Sequence, residues 1–384
     1  MRKLGILTYY WPPAGGPGVQ RWLKLSKYLA AQGVEVHIVC PHPDRATYPL
    51  RDASLRVEGG ERLHVHTTAT SEQFAAYQKL TRKKDVPFSG FSGEEEKVSL
   101  VQKLARFVRG NFLVPDARKG WNKHAFKKAA EVIETHGVRH WITTSPPHST
   151  QLVGERLKRR YGIHWTADFR DPWTDIYYYR KFYPLAITRW YEARLERRIF
   201  AGCDRLISVS PAWKDLYVAK GAQPASKAHT ITNGFDPEDF NGLQAQRPSE
   251  LTVTYAGTLA AQYPVDVLVQ VLNQLALPVH LRIIGTWDGQ SERTLQALKS
   301  PARLTMEAYM PKAQLNQELR NSHLMLFLLP NVASAVGHIP GKLFDYLEAS
   351  NTITEWLFLP FTYQQKYTHN RKLQKASKPN RRHF

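Results

Sequence analysis

The chain has 384 residues, 42% apolar and 22% charged, with a formal net charge of +20 from 53 Lys and Arg against 33 Asp and Glu. That composition excludes a disordered or collagen-like chain, and the length suffices for two ordinary domains, each with its own core. Cys40 and Cys203 have no metal or redox spacing, which argues against a disulfide framework and for a reducing compartment. No 18 apolar residues run together, so no transmembrane helix is expected. The short apolar run behind the basic N-terminus ends in Trp11, Pro12 and Pro13 without a signal-peptide cleavage site. The expectation is a cytoplasmic protein.

In chain order, residues 4–8 read as a buried strand, and Val19, Trp22, Leu23 and Leu29 mark one face of a following helix. Between them lie Gly15, Gly16, Pro17 and Gly18. A strand that passes through a glycine-rich turn into a helix N-terminus is a physical anion site, because the backbone can approach a phosphate and the first N–H groups point at it. The spacing matches neither the dinucleotide fingerprint nor the P-loop, so a tight turn that needs glycine for backbone reasons alone is equally open.

Strands are expected at 34–40, 139–144, 164–169, 205–209 and 228–232, with helices at 122–135, 149–160, 184–200 and 212–220. Residues 67–123 break this alternation as a basic insertion with Pro87, Gly90, Gly93 and an acidic triplet at 94–96. Within it, 98–110 reads as an amphipathic helix with Val101, Leu104, Phe107 and Val108 on one face. That face either packs on the first domain or lies on an anionic membrane surface. After a polar linker at 236–250, a second series follows: strands at 251–257, 279–285, 303–307 and 324–329, and helices at 265–275, 291–298, 312–321 and from 341.

Repeated βαβ units with apolar strands imply an α/β fold of two Rossmann-like, doubly wound parallel-sheet domains, 1–240 and 251–350, facing across a cleft. The glycine loop, the turn from Ser145 to His148, the segment from Asp168 to Asp171 and the Asn233-Gly234 pair all follow expected strands. All four therefore converge on the carboxyl-end rim, where such folds bind ligands.

With these pieces placed, the chain resembles the retaining GT-B glycosyltransferases of family 4, chiefly bacterial members whose N-termini read YYWPPxGGPGVQR. The match is carried by residues 9–21, 143–149, 167–174, 207–211, 231–236, 254–259 and 339–347, and it extends from the start to about Ser350. The resemblance implies transfer of a sugar from a nucleotide-sugar donor to a saccharide or lipid-linked saccharide acceptor, with retention, in surface polysaccharide or glycoconjugate synthesis. It places the donor mainly on the C-terminal domain and the acceptor mainly on the N-terminal one, with no metal and no cofactor. The sequence has no D-x-D and no His, Cys or carboxylate cluster at ligand spacing.

The chemistry needs N–H groups and cations where the diphosphate leaves. Gly15, Gly16 and Gly18 could supply donors, and Arg21 either adds charge or is a solvated helix residue. Lys342 follows the Pro340-Gly341 turn at a helix start, where a lysine opposes the macrodipole, and the resemblance places it at the phosphates. His148 matches the family's active-site histidine near the transferred sugar. Asp171 is the candidate acid for the acceptor hydroxyl, as base or hydrogen-bond anchor. Asn233, either a donor contact or only a turn, and Gly257 complete the donor-side set. Asp345 takes the second place of the family's E-x7-E element, implied to hold the ribose, and Gly337 stands in the first.

Residues 260–264 lack the Arg and Lys that many relatives carry at the diphosphate. The basic tail 351–384 departs from the pattern as a frameshifted or foreign stretch would, so the donor domain is expected to be incomplete. Two readings compete with an active transferase. One is an inactive or impaired truncated homologue that keeps partial nucleotide binding. The other is a basic nucleic-acid- or anionic-lipid-binding protein, whose nucleic-acid version is the weaker because no RNP, helix-turn-helix or zinc pattern accompanies the charge. The expected location is the cytoplasm, with a peripheral place on the inner face of the cell membrane if the amphipathic face binds lipid.

Overall fold

The computed structural model describes residues 2–71, 100–275, 278–330, 337–349 and 356–359. The first domain contains β1 (Lys3–Leu7), α1 (Pro17–Ala31), β2 (Glu35–Pro41), β3 (Leu63–Thr68), α2 (Leu100–Phe112), α3 (Asn122–His136) and β4 (His140–Ser145). It continues with α4 (Ser149–Tyr161), β5 (His164–Phe169), α5 (Ala186–Gly202), β6 (Arg205–Ser208), α6 (Pro211–Ala219) and β7 (Ala228–Thr230). The seven strands form one sheet in the order β3-β2-β1-β4-β5-β6-β7, parallel throughout.

The inner strands are largely buried, as in a parallel sheet covered on both faces, and β2 is buried at every position. Trp121, Trp141, Trp165 and Phe169 are fully buried in this core. The Cα of Gly5 on β1 lies flat against the Trp141 indole on the neighbouring β4, where a Cβ would fall 2.4 Å from the ring. The strand β3 is not among those expected. His64 and His66 interrupt its apolar signal, and none of its first five residues is fully buried.

The second domain contains β8 (Leu251–Leu259), α7 (Val265–Leu275), β9 (Val279–Trp287), α8 (Gly289–Leu295), β10 (Arg303–Ala308), α9 (Lys312–Asn321), β11 (Leu324–Leu328) and α10 (Lys342–Ala349). The strands run parallel in the order β10-β9-β8-β11. Inside the tail read as atypical, Trp356–Leu359 adds a fifth parallel strand, β12, with Met325 paired to Trp356. The turn-rich and acidic part of the insertion, 72–99, and most of the basic tail lie outside the described residues.

The expected linker is tied to both domains. Phe240 buries itself against Phe327 and Tyr346 of the second. Asp236, Glu238 and Asp239 ion-pair with Lys24 and Lys27 on α1 at 2.5–2.9 Å, which holds the Asp236 carboxyl well below the usual range. Among the described residues no helix is long and apolar enough to cross a membrane.

Candidate active site

In the first sheet the strand order reverses between β1 and β4, and in the second between β8 and β11. Those are the topological switch points, where loops part beyond the carboxyl ends of the strands and leave room for a ligand. The glycine loop follows β1, the turn to His148 follows β4, and Lys342 opens the helix that follows β11.

The glycine loop is bolted in place from behind. Gly15 N donates to Leu50 O at 2.9 Å, and Asp52 N donates to Pro13 O at 2.8 Å. Gly16 takes φ 92°, which an L side chain rarely adopts, and precedes α1 with no side-chain cap on the first turn. A Cβ on Gly18 would fall 2.6 Å from Nη1 of Arg170, so the arginine lies directly against the start of the helix. Arg170 donates to the carbonyls of Ser145 at 3.3 Å and Pro146 at 3.2 Å, not to a carboxylate.

Arg21 points inward. Its guanidinium grips Asp168 with two bonds of 3.3 and 3.1 Å, and donates to Thr232 O at 3.0 Å and to Oδ1 of Asn233 at 3.2 Å. Asp168 also accepts from Trp22 Nε1 at 2.7 Å and from Thr144 at 2.9 Å. The expected donor-side residues Arg21 and Asn233 thus meet each other, and both are committed to the chain's own interior network.

His148 ends the turn after β4. Its ring stacks on Trp173 with centroids 5.3 Å apart and planes 7° off parallel, and Nδ1 is buried without a partner. Burial, reinforced by the nearby Arg170 and Lys220 charges, pushes its pKa down to about 3, so the ring is neutral. Trp173 Nε1 in turn donates to Glu192 at 3.3 Å, and Tyr179 donates its hydroxyl to the same carboxyl. Burial raises Glu192 to about 7.

Across the cleft stands Lys342. Its Nζ is buried without a hydrogen-bond partner among the described residues, 3.7 Å from the centroid of the Tyr255 ring. Burial pushes its pKa down to about 7. A Cβ on Gly257, which has φ 133°, would come within 3.1 Å of that nitrogen. Glycine here keeps the end of β8 open to the ammonium.

His338, which the sequence reading did not single out, links the two sides. Its ring meets Trp213 of α6 edge-on at 5.9 Å. Burial lowers its pKa, while Asp171 raises it and Lys342 lowers it further, so the charges of both domains reach this one imidazole. The only hint in the sequence is that it follows Gly337, the position where the family pattern has a glutamate. Asp345 lies one turn into α10 and pairs with Lys312 at 2.5 Å. Three groups of close histidines and carboxylates occur among the described residues, and none includes a residue of this cleft.

The model of the Glycosyl transferase 4-like domain matches residues 15–234. No curated protein matches the chain in sequence. Among solved structures, HepE of Anabaena in complex with UDP-glucose superposes with a TM-score of 0.50 at 10% identity, over 91% of this chain and 79% of its own. The catalytic domain of starch synthase IV from Arabidopsis thaliana, bound to ADP and acarbose, gives 0.51 at 14% identity over 85% and 77%. An alpha,alpha-trehalose 6-phosphate synthase from Burkholderia multivorans gives 0.52 at 12% over 91% and 79%. At such identities the likeness is one of fold, the GT-B arrangement of two parallel-sheet domains.

Proposed function

Because the chain belongs to the Glycosyl transferase 4-like family, we propose that it moves a sugar from a nucleotide-sugar to an acceptor hydroxyl in this cleft, with retention at the anomeric carbon. The carrying observation is the unpartnered, buried Nζ of Lys342 beside Gly257. A buried cation without an acceptor is costly unless an anion joins it. HepE is seen with UDP-glucose and starch synthase IV with ADP, and a nucleoside diphosphate is the kind of anion this site would take.

In this reading bond cleavage at the anomeric carbon builds negative charge on the departing diphosphate. Lys342 from the second domain, with Arg170 and the uncapped start of α1 from the first, would stabilise it without a metal. The neutral His148, held flat by Trp173, would hydrogen-bond a sugar hydroxyl, and Asp171 would accept the acceptor's proton or orient that hydroxyl. Gly15 and Gly16 shape the turn that lets the phosphates approach. Arg21, Asn233 and Asp345 support the walls.

A second observation favours work at a membrane. Leu100, Val101, Leu104 and Phe112 of α2 are exposed, as are Leu185, Ile187, Trp190 and Tyr191 at the start of α5. Asn111 joins the two helices: it donates to Tyr183 O at 3.1 Å and accepts from Leu185 N and the Thr188 hydroxyl, both at 2.8 Å. The same two helices carry Lys103, Arg106, Arg109 and Arg189. Apolar side chains beside cations suit an anionic bilayer surface, where a lipid-linked acceptor would be met.

The deciding experiment is a panel of UDP-, GDP- and ADP-sugars. One donor should raise the melting temperature and release its nucleoside diphosphate by hydrolysis or transfer. If no member of the panel does either, the proposal fails.

A further inference from the structure

Toward the N-terminal ends of β2 and β3, away from the cleft, four histidines gather from three elements: His37, His64, His66 and His136. His37 is fully buried. Its ring stacks on His64 with centroids 4.8 Å apart and on His66 at 5.3 Å, while His136, the last residue of α3, lies 4.8 Å away on a third side. Sequence spacing could not reveal this group, because 29 residues separate His37 from His66 and 70 more separate His66 from His136.

The nitrogens are arranged as well as the rings. Nε2 of His37 lies 3.0 Å from Oε1 of Glu35, a carboxylate whose other oxygen is 3.4 Å from Lys3 Nζ. A carboxylate so placed accepts the Nε2 proton, which leaves the lone pair of His37 on Nδ1. That Nδ1 faces Nε2 of His66 at 3.0 Å, and one ring nitrogen from each of His37, His66 and His136 lies within 4.8 Å of the other two. Tetrahedral zinc with nitrogen ligands at about 2.0–2.1 Å needs those atoms about 3.3 Å apart, a change that small ring rotations supply. A carboxylate that holds the far nitrogen of a ligating histidine is the usual outer partner of such a site.

We propose that His37, His66 and His136 form a three-histidine site for a divalent transition metal, zinc by preference, with Glu35 orienting His37 from behind. Imidazole donors suit zinc, copper and nickel and do not suit magnesium or calcium. His136 is exposed, so solvent supplies the fourth ligand. The metal would clasp the end of α3 to the β2–β3 edge of the sheet. Its place away from the rim makes the role structural, independent of sugar transfer.

The test uses the full chain freed of metal by chelator and dialysis, titrated at pH 7.5 with zinc by calorimetry and with cobalt by visible absorption. The expected result is one zinc per chain, a rise in melting temperature, and the intense visible bands of tetrahedral or five-coordinate cobalt. His66→Gln and His136→Gln, both outside the fully buried core, should each weaken zinc at least tenfold, and the double variant should not bind. Glu35→Gln should keep the stoichiometry with affinity roughly tenfold to a hundredfold lower. Absence of stoichiometric binding by the native chain would overturn the proposal. So would undiminished binding by a folded double variant, which would put the zinc elsewhere.

Discussion

The Nζ of Lys342 lies over the Tyr255 ring at 3.7 Å, with no hydrogen-bond acceptor among the described residues. The ring face is a weak partner for an ammonium compared with a diphosphate. In the proposed reading an anion would complete this site, and burial alone pushes the lysine's pKa down to about 7.

That cost fixes a pH dependence. Below pH 7 the free lysine is already charged, and its own contribution to nucleotide affinity should be flat. Above pH 7 the free lysine is neutral, the diphosphate raises its pKa, and binding must take up a proton, so affinity should fall by up to about tenfold per pH unit. Calorimetry at pH 8 in two buffers of different ionisation enthalpy should register close to one proton bound. Lys342→Met should abolish the uptake and weaken the nucleotide at least about tenfold. The same variant should melt higher than the native chain at pH 7 without ligand. A buried lysine with a depressed pKa destabilises the fold at low pH and ceases to do so as pH rises towards 10.5.

His148 should act as a neutral group. With its pKa near 3, kcat should show no inflection from this ring between pH 5 and 8. His148→Ala should lower kcat about a hundredfold or more with a small change in KM, the loss expected when one transition-state hydrogen bond disappears. A pH profile whose limb near 6.5 vanishes in the variant would contradict this account.

Glu192, under the Trp173–His148 stack, should make the fold lose stability as pH rises from about 4.5 to 7. Its folded pKa of about 7 exceeds the ordinary 4.5, so the native state holds the proton more tightly than the unfolded chain. The stabilisation is complete below about pH 4.5 and is lost as pH rises through 7. Glu192→Gln should therefore raise the melting temperature at pH 8 and change it little at pH 4.5. Differential scanning calorimetry at the two values decides.

Arg21 and Asp168 form an ion pair with side chains 1% and 0% exposed. Arg21→Ala would strand the carboxylate in the core and should cost about 3–5 kcal/mol in urea unfolding. Arg21→Lys should recover only part, because one ammonium cannot bond Asp168, Thr232 and Asn233 at once.

The ridge of α2 and α5 makes its own prediction. Val101→Glu with Trp190→Glu should abolish flotation with vesicles rich in phosphatidylglycerol while leaving the melting temperature within a degree or two. Retained binding after both substitutions would move the membrane contact elsewhere.

Much of the architecture was legible in the sequence because buried parallel strands announce themselves as short apolar runs between amphipathic helices. Residues 34–40 and 279–285 read that way and form strands at 35–41 and 279–287, and the turns after β1, β4 and β5 carry Gly, Pro and Asp as rim turns do. What was hidden depends on distances that no spacing encodes. Arg21 reads as a helix-surface cation until Asp168, 147 residues on, is seen against it. Arg170 and His338 gain meaning only when the glycine loop and Trp213 are placed beside them. The tail's one described strand was obscured because the surrounding basic and polar residues dominate its composition.

Asp52 deserves a last word for what it holds. Its backbone N–H steadies Pro13 in the glycine loop, while its carboxylate accepts from Lys312 N at 3.0 Å and Tyr309 OH at 3.5 Å in the second domain. One residue is thus both the buttress of the loop and a latch between the two halves of the molecule. Any swing that parts the halves must first unfasten that carboxylate, and the strain passes through a single peptide unit to the loop. The loop and the second domain thus share one anchor in Asp52.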